Sequence, residues 1–300
     1  LMLPGDDGLT LDDLRARFES VFLATGLWNG KSLRLERGEL LDSGLQFLID
    51  VQRGVAKPVG KRVLVIGASN GYGLAARIVS AFGSRAATIG VAYERAGEPH
   101  RSATAGWYNS AAFQQEADHD GLPAWNVNGD AFTDAVKDEV IDRIQSKLGE
   151  VDFIIYSIAA PRRIDPATGE IYSSVIKPIG RPFISKGVEF LTGHITNMIA
   201  EPATEEEVAH TVKVMGGEDW ELWIRRLLRE KVLAPGALTM ALSYIGPELT
   251  RAIYRDGTIG RAKADLEATA KRLDALLKTS DGSAVISVNK ALVTRASAVI

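Results

Sequence analysis

The sequence of 300 residues contains no cysteine. This absence excludes disulfides, thiolate metal sites and a cysteine nucleophile, and it fits a reducing cytoplasm. A dominant charge is missing as well, since 35 basic and 38 acidic side chains leave a net charge of −3. A mildly acidic chain has no overall attraction for nucleic acid or for an anionic membrane. We therefore expect a cytoplasmic protein that binds neither.

Long hydrophobic runs are also absent. The longest uncharged stretch covers residues 232–247 and contains Pro235 and two glycines, whereas a membrane helix needs about 20 apolar residues. The first residues lack the basic and apolar regions of a signal peptide. The chain opens with Leu1 rather than Met and closes within an apolar run at Ile300. Both features are typical of a fragment of a longer protein.

Two regions of the chain differ in their pattern. Residues 1–60 contain an amphipathic helix pattern over Thr10–Ala24, a weaker one over Leu40–Val51 and then a linker rich in glycine and proline. From residue 61 onward, strand-like and helix-like patterns alternate. We expect an N-terminal helical extension with a linker over 1–60 and one larger domain over 61–300.

The larger region predicts an α/β fold, a doubly wound parallel sheet of Rossmann type like that of short-chain dehydrogenases. Strand-like segments occur at 63–66, 86–93, 125–127, 151–156 and 284–288. Helix patterns occur at 134–148, 204–215, 218–228 and 262–278. Between them, residues 160–217 are irregular and hold five prolines, which predicts an inserted region on the substrate side. The two tryptophans of 218–228 fit a core position better than a ligand platform.

A glycine-rich loop, GASNGYG at 67–73, separates the first strand from the first helix. Glycines permit a tight turn and a close approach of backbone to a pyrophosphate, and the helix N-terminus attracts the phosphates. A turn that only packs helix against strand is the alternative. The strand–loop–helix context favours a dinucleotide-binding loop.

Glu94 lies 21 residues after Gly73, at the end of the second strand. A carboxylate there accepts hydrogen bonds from the adenosine ribose and repels a 2′-phosphate, so the predicted cofactor is NADH rather than NADPH. A solvated surface glutamate is the alternative, and the adjacent Arg95 is a residue type that accommodates a 2′-phosphate. The loops at Asp130–Ala131 and Ile158–Ala159 follow the third and fourth strands. They fit cofactor contacts and ordinary turns equally well.

A proton donor for hydride chemistry is harder to find. None of the seven tyrosines is followed by lysine at the Tyr-x3-Lys spacing, which disfavours an ordinary short-chain ketoreductase. Tyr254 and Lys263 are nine residues apart, and an unbroken helix would point them in opposite directions. Gly257 and Gly260 interrupt the helix, so the pair converges if Tyr254 precedes the turn and Lys263 begins the helix. An unrelated tyrosine and a surface lysine are an equal alternative.

Other enzyme classes lack their signatures. The four histidines have no metal-ligand spacing, and neither a Gly-x-Ser-x-Gly elbow nor a phosphate loop ending in Gly-Lys-Ser/Thr occurs. The sequence therefore does not support a zinc hydrolase, a serine hydrolase or a nucleotide kinase, and no metal is expected.

From about Lys61 to the end, the sequence resembles the trans-2-enoyl-CoA reductases and the related FabV-type enoyl-acyl-carrier-protein reductases. The shared segments are VIGASNGYGL at 65–74, TAGWYN at 104–109, VMGGEDW at 214–220, SYIGP at 243–247, DGTIGRAK at 256–263 and SVNKALVT at 287–294. The resemblance implies a monomeric, NADH-dependent enzyme of fatty acid synthesis. Its substrate is a trans-2-enoyl thioester of CoA or acyl carrier protein, and the C2–C3 double bond is reduced.

The resemblance also implies roles for individual residues. Tyr254 is the proton donor, Lys263 holds the nicotinamide ribose, and Tyr244 contacts the thioester region of the substrate. The residues implied to line the cofactor are Gly67, Ala68, Ser69, Asn70, Gly71, Tyr72, Tyr93, Glu94, Asp130, Ala131, Ile158, Ala159, Lys263, Leu292, Val293 and Thr294.

Two departures from the family pattern leave alternatives open. A His-Pro-x-Gly-Cys element typical of the family is missing from residues 1–60, and the family continues beyond this C-terminus with residues that help to wall the acyl pocket. An NADH-binding chain without turnover is therefore one alternative, and a short-chain carbonyl reductase is a remote one. Arg162, Arg163 and Lys177 are candidates for contacts with CoA phosphates, and the alternative is that they are ordinary solvated surface residues.

Overall fold

A computed structural model describes residues 33–34, 40–41, 61–188, 194–245 and 248–290. In the N-terminal part, strand β1 (Leu33–Arg34) pairs antiparallel with β2 (Leu40–Leu41). Leu40 and Leu41 therefore lie in a strand and do not begin the second helix predicted there, because they pair with the backbone of residues 33–34. The rest of that pattern and the helix predicted over Thr10–Ala24 lie outside the described residues.

The larger region consists of alternating strands and helices. The strands are β3 (Arg62–Ile66), β4 (Ala87–Ala92), β5 (Ala124–Asn128), β6 (Val151–Tyr156), β7 (Arg162–Ile164), β8 (Ile171–Ser173), β9 (Phe183–Val188), β10 (Ile195–Ala200), β11 (Leu233–Ile245) and β12 (Ser283–Lys290). The α-helices are α1 (Gly71–Ile78), α2 (Ala105–His119), α3 (Asp134–Lys147), α4 (Glu205–Met215), α5 (Glu218–Arg229) and α6 (Thr258–Leu277). Within the described ranges, no helix has both the length and the apolar character that crossing a membrane requires.

Six strands form one parallel sheet in the order β12-β11-β6-β3-β4-β5. The first strand of this sheet along the chain, β3, lies in the middle, with β4 and β5 on one side and β6, β11 and β12 on the other. This is the strand order of a doubly wound dinucleotide-binding fold. The predicted fold is thus confirmed. The winding reverses between β3 and β6, and ligands of such sheets bind outside the carboxyl ends of the strands at that point.

The residues of the sheet alternate between two apolar layers. Leu64 and Ile66 of β3 pack into the cluster that includes α3, α5 and α6, whereas Val63 and Val65 pack into a second cluster on the opposite face. Side chains of successive strand residues point to opposite faces, so both faces of a central parallel strand are apolar. Helices on both faces leave the carboxyl edge of the sheet as the place for a site.

The two tryptophans of α5 belong to the core, as predicted. Trp220 and Trp223 are fully buried, and each indole has a hydrogen-bond acceptor. Trp220 Nε1 donates to Thr239 Oγ1 at 2.9 Å, and Trp223 Nε1 donates to the Ala131 carbonyl at 3.1 Å. Burial of an indole is favourable when its N–H keeps a partner.

The irregular region between β6 and β11 contains two antiparallel pairs, β7 with β8 and β9 with β10. Helix α4 follows them and begins with a capping box. The Thr204 side chain accepts from the Glu207 backbone, and the Glu207 side chain accepts from the Thr204 backbone. This reciprocal pair satisfies two of the free N–H groups at the helix start.

Strand β11 and helix α2 are absent from the sequence prediction. Strand β11 contains Pro235 and Gly236, which disfavour a central strand. The structure accommodates them in a register shift against β6 between Leu233 and Leu238. Helix α6 begins at Thr258, four residues before the predicted start.

We expect Leu227→Ala to lower the free energy of unfolding by about 2–5 kcal/mol, because Leu227 is fully buried in the main core and its removal leaves a cavity. Urea denaturation of the chain measures this change. Leu222→Ala, at an exposed leucine of the same helix, is the matched control and is expected to change the value by about 0.5 kcal/mol or less. Equal losses in the two variants would contradict the core assignment.

Candidate active site

The glycine loop lies at the point where the winding of the sheet reverses. Gly67 has φ +91°, a left-handed conformation, and a Cβ there would lie 2.3 Å from the Ser157 carbonyl oxygen. A Cβ at Gly73 would lie 1.9 Å from the Gly67 carbonyl oxygen. Any larger side chain at either position would push the loop away from the start of α1 or from the end of β6. The loop is therefore packed backbone to backbone between them.

Glu94 lies beside this loop at the carboxyl end of β4. Its Oε1 accepts hydrogen bonds from Ser69 Oγ at 2.6 Å and Asn70 Nδ2 at 3.1 Å. The Glu94 backbone is bound in both directions by the Asn128 side chain, at 2.8 Å each. The structure thus brings the predicted acidic residue to the glycine loop and ties the ends of β4 and β5 together. Tyr93 beside it is 77% exposed.

Helix α2 contributes residues that the sequence prediction left without a role. A Cβ at Gly106 would lie 2.0 Å from Glu94 Oε1, so glycine lets the helix N-terminus pack against the carboxylate. Asn109 Nδ2 donates to the Ser69 carbonyl and to Asn70 Oδ1, both at 3.0 Å. The segment 104–109 was visible as a shared motif, but its place beside the loop depends on the tertiary fold.

The loops after β5 and β6 reach the same edge of the sheet. Asp130 Oδ1 accepts from the Phe132 backbone N–H at 3.0 Å, and Ala131 is buried. Ile158 is half-buried and Ala159 is exposed. The predicted cofactor residues Leu292, Val293 and Thr294 lie outside the described residues.

Tyr244, Tyr254 and Lys263 form one cluster. Tyr244 lies near the end of β11, Tyr254 in the turns before α6, and Lys263 in the second turn of α6. The rings of the two tyrosines meet edge to face with centroids 5.7 Å apart, and Lys263 Nζ lies 5.6 Å from the Tyr244 ring centroid. The pair separated by nine residues therefore meets around Tyr244.

Two glycines allow the turn with Tyr254 to pack against the start of α6. A Cβ at Gly260 would lie 1.8 Å from the Arg255 carbonyl oxygen, and the Gly260 N–H donates to the Tyr254 carbonyl at 2.7 Å. A Cβ at Gly257 would lie 2.4 Å from the Ile253 carbonyl oxygen. The chain reverses here within a few residues, which an unbroken helix would not permit. Lys263 lies inside the helix and not at its start.

Burial affects two members of this cluster. It lowers the pKa of Lys263 to about 8 and, together with the nearby Tyr254, raises the pKa of Tyr244 to about 12. Desolvation disfavours the charged form of each group. At pH 7 Lys263 is mainly a cation and Tyr244 is a neutral hydroxyl. No group of three or more His, Cys, Asp or Glu side chains within the described ranges is arranged to hold a metal.

One basic candidate for CoA contacts is corrected by the structure. Arg163 is 2% exposed, and its Nη1 donates to Glu218 Oε2 and to the Lys213 carbonyl, both at 2.7 Å. This guanidinium is used inside the fold and is not available to a phosphate. Arg162 is exposed, and Lys177 pairs with Glu207 at 2.5 Å.

We expect Lys263→Met to raise the free energy of unfolding at pH 7 by roughly 1–3 kcal/mol, because it removes a cation that burial disfavours. The pKa of Lys263 is about 8 in the fold against an ordinary 10.5. The unfolded chain therefore binds more protons between these values, and the stability of the unaltered chain rises with pH there. The gain from the substitution should shrink from pH 8 to pH 10.5.

Urea denaturation across this pH range is the measurement. Lys271→Met, at an exposed lysine of the same helix, is the control and should give no gain of this kind. If the gain in stability from Lys263→Met does not vary with pH, the fold does not lower the pKa of Lys263.

Comparison with known proteins shows which family has this sequence and fold. Residues 48–99 match the profile described as "NAD(P)H binding domain of trans-2-enoyl-CoA reductase". Residues 101–300 match the "Trans-2-enoyl-CoA reductase catalytic region". A curated enoyl-[acyl-carrier-protein] reductase [NADH] of Opitutus terrae is 56% identical over 248 residues, which are 83% of this chain and 63% of the relative. A trans-2-enoyl-CoA reductase [NADH] of Ruminiclostridium cellulolyticum is 52% identical over 240 residues, 80% of this chain and 61% of the relative.

Solved structures of trans-2-enoyl-CoA reductases are similar to this chain as well. The trans-2-enoyl-CoA reductase of Clostridium acetobutulicum in complex with NADH matches with a TM-score of 0.80 and 45% identity, over 85% of this chain and 65% of that one. The Treponema denticola enzyme in complex with NAD matches with a TM-score of 0.78 and 46% identity, over 90% and 70%. The chain spans less than two thirds of the length of the two curated relatives. With two profiles matched in succession along the sheet and the site, the chain belongs to the trans-2-enoyl-CoA reductase family.

Proposed function

We propose that residues 61–300 form an NADH-dependent reductase domain that acts on the C2–C3 double bond of trans-2-enoyl thioesters. The observation that carries this proposal is the cluster of Tyr244, Tyr254 and Lys263. It lies at the carboxyl end of β11, at the same sheet edge as the glycine loop. A hydroxyl donor, a cation and a dinucleotide loop are the groups that reduction of an enoyl thioester requires. Membership of the family supports the same reaction.

The residues at the sheet edge fit NADH. The packed backbone at Gly67 and Gly73 leaves no side chain between the loop and a pyrophosphate. The Glu94 carboxylate accepts hydrogen bonds from two neutral groups, Ser69 and Asn70, and a carboxylate here suits ribose hydroxyls and opposes a 2′-phosphate. Lys263 would hold the nicotinamide ribose. The Asp130–Ala131 loop would lie on the adenine side, as the loop after the third strand.

When bound, NADH supplies the hydride that C3 of the enoyl chain accepts, and negative charge then develops on the thioester oxygen. Tyr254 donates a hydrogen bond to that oxygen and serves as the proton donor. The positive charge of Lys263 favours the tyrosinate that proton donation leaves. Tyr244, with its pKa raised to about 12, stays a neutral donor toward the thioester region. The proton that Tyr254 gives up ends on C2, and this step completes the saturated product.

The acyl carrier in this proposal is CoA or acyl carrier protein, since curated relatives carry both names. The exposed Arg162 is the remaining candidate for a phosphate contact among the residues considered above. We also propose that the protein acts as a monomer in the cytoplasm. The family resemblance supports a monomer, and the lack of cysteine fits the cytoplasm.

The deciding experiment measures NADH consumption with and without crotonyl-CoA, with NADH binding followed by its fluorescence in the same samples. Consumption that depends on crotonyl-CoA supports the proposal. Binding without consumption contradicts it and favours a chain that binds NADH without turnover. Oxidation of NADH by ketones but not by crotonyl-CoA would identify a carbonyl reductase instead.

Tyr254→Phe should leave NADH affinity unchanged and reduce crotonyl-CoA turnover by about 100- to 1,000-fold, the usual loss when one donor to a developing oxyanion is removed. Steady-state kinetics and fluorescence titration measure the two quantities. Tyr108→Phe, at an exposed tyrosine, is the control and should retain full activity. Unchanged turnover in Tyr254→Phe would remove Tyr254 from the mechanism.

Glu94→Ala should raise kcat/KM for NADPH relative to NADH by about tenfold, because one charge that repels a 2′-phosphate is removed. The ratio is obtained from turnover with each nucleotide at the same crotonyl-CoA concentration. Glu116→Ala changes an exposed glutamate of α2 and controls for net charge. If the ratio stays the same in both variants, Glu94 does not select the cofactor.

A further inference from the structure

The segment 214–220 is shared with the family, yet the proposed mechanism gives it no role. Its Asp219 lies in the first turn of α5 and is 2% exposed. Lys137 Nζ of α3 donates to Asp219 Oδ1 at 2.9 Å, and the Tyr156 hydroxyl donates to Asp219 Oδ2 at 3.1 Å. Each oxygen of this buried carboxylate therefore has its own donor, from a different element.

Lys137 also binds the loop that follows β5 at the carboxyl edge of the sheet. Besides Asp219, Lys137 Nζ donates to the carbonyl oxygens of Ala131 and Phe132, both at 2.9 Å. The Ala131 carbonyl also accepts from Trp223 Nε1 at 3.1 Å. All three donor positions of the ammonium are thus used, two of them on the loop that follows β5. Lys137 itself is 2% exposed.

Tyr156 fixes the other side of the carboxylate. It is the last residue of β6 and is buried, and it directly precedes Ser157, against which the glycine loop packs. Burial raises the pKa of Tyr156 well above its ordinary value, so its hydroxyl remains a donor. Asp219 therefore connects the loop after β5 with the end of β6, beside the point where the winding of the sheet reverses.

Stability alone explains this arrangement poorly. Two charges buried in an ion pair lose their hydration, and well-packed apolar residues of similar size are often as stable or more stable. Apolar residues would not hold two backbone carbonyls at fixed positions. What the Lys137–Asp219 pair provides, and an apolar pair would not, is a fixed backbone conformation of residues 130–132.

We infer that Asp219 is a positioning residue for the dinucleotide: through Lys137 it holds the Asp130–Ala131 loop in the shape that receives the adenine side. The inference rests on the proposed function, since it needs this loop to lie on the cofactor. Asp219 itself contacts the loop only through Lys137, so its effect is on affinity for the adenine half and not on the chemical step.

The test uses the double variant Lys137→Met/Asp219→Leu, in which an apolar pair replaces the ion pair. It is expected to fold but to unfold at lower urea than the unaltered chain, because the Phe132 carbonyl and the Tyr156 hydroxyl lose their partners. Its affinity for ADP-ribose and its KM for NADH should both become about tenfold worse, while kcat at saturating NADH and KM for crotonyl-CoA stay within about threefold. Isothermal calorimetry gives the first quantity, and steady-state kinetics gives the others.

Two further variants separate positioning from packing. Tyr156→Phe removes one hydrogen bond from Asp219 without touching Lys137 and should weaken ADP-ribose binding by less than about threefold. Ile224→Val removes a buried methylene from the same helix and should lower stability without changing ADP-ribose affinity. An ADP-ribose affinity of the double variant equal to that of the unaltered chain overturns the inference. So does a double variant whose loss appears only in kcat.

The two proposals can fail separately. If the unaltered chain binds ADP-ribose but does not reduce crotonyl-CoA, the proposed function is wrong, and the ADP-ribose affinities still decide the role of Asp219. If the unaltered chain binds no ADP-ribose, both are overturned. If the double variant does not fold, Asp219→Asn, which keeps the shape of the side chain, is measured in the same way and must meet the same criterion.

Discussion

The contact between the Gly67 loop and the backbone at Ser157 is the constraint on which the rest of the site depends. Parallel strands β3 and β6 bring these two segments together, and the winding of the sheet reverses between them. Glycine at positions 67 and 73 lets backbone meet backbone there. Because the loop is seated in this way, Glu94 reaches Ser69 and Asn70 from β4, and helix α2 closes over the carboxylate at Gly106.

The cluster of Tyr244, Tyr254 and Lys263 depends on the same sheet through a longer stretch of chain. Strand β11 pairs with β6 and carries Tyr244 near its carboxyl end. The turns that follow bring Tyr254 against that ring, and Gly260 lets α6 start immediately beyond them. Lys263 then reaches the same ring from the second turn of the helix. Tyr254 and Lys263, nine residues apart, come close only because the chain reverses between them. The spacing alone therefore could not show whether the two side chains meet.

Local patterns were sufficient for much of the sheet, since buried parallel strands are short apolar runs and the capping box of α4 is a local signal. They failed where tertiary context decides. Strand β11 contains Pro235 and Gly236, and it accommodates them through a register shift against β6 between Leu233 and Leu238. Arg163 is a candidate for phosphate contact by its residue type alone, yet Glu218 and the Lys213 carbonyl hold it inside the fold. A single sequence carries no signal for that burial.

Two desolvated cations, Arg77 and Lys263, differ in how the fold uses their hydrogen-bond donors. Burial lowers the pKa of Arg77 to about 9. Its guanidinium donates to Asn126, to the Trp125 carbonyl and to Thr88, so its hydrogen-bonding capacity serves the fold. Lys263 is also desolvated, but within the described ranges its ammonium faces only the ring of Tyr244. Donors that the fold leaves unused at a sheet edge are available to a ligand. This difference, more than the pKa shift common to both cations, supports the proposal that Lys263 contacts the cofactor.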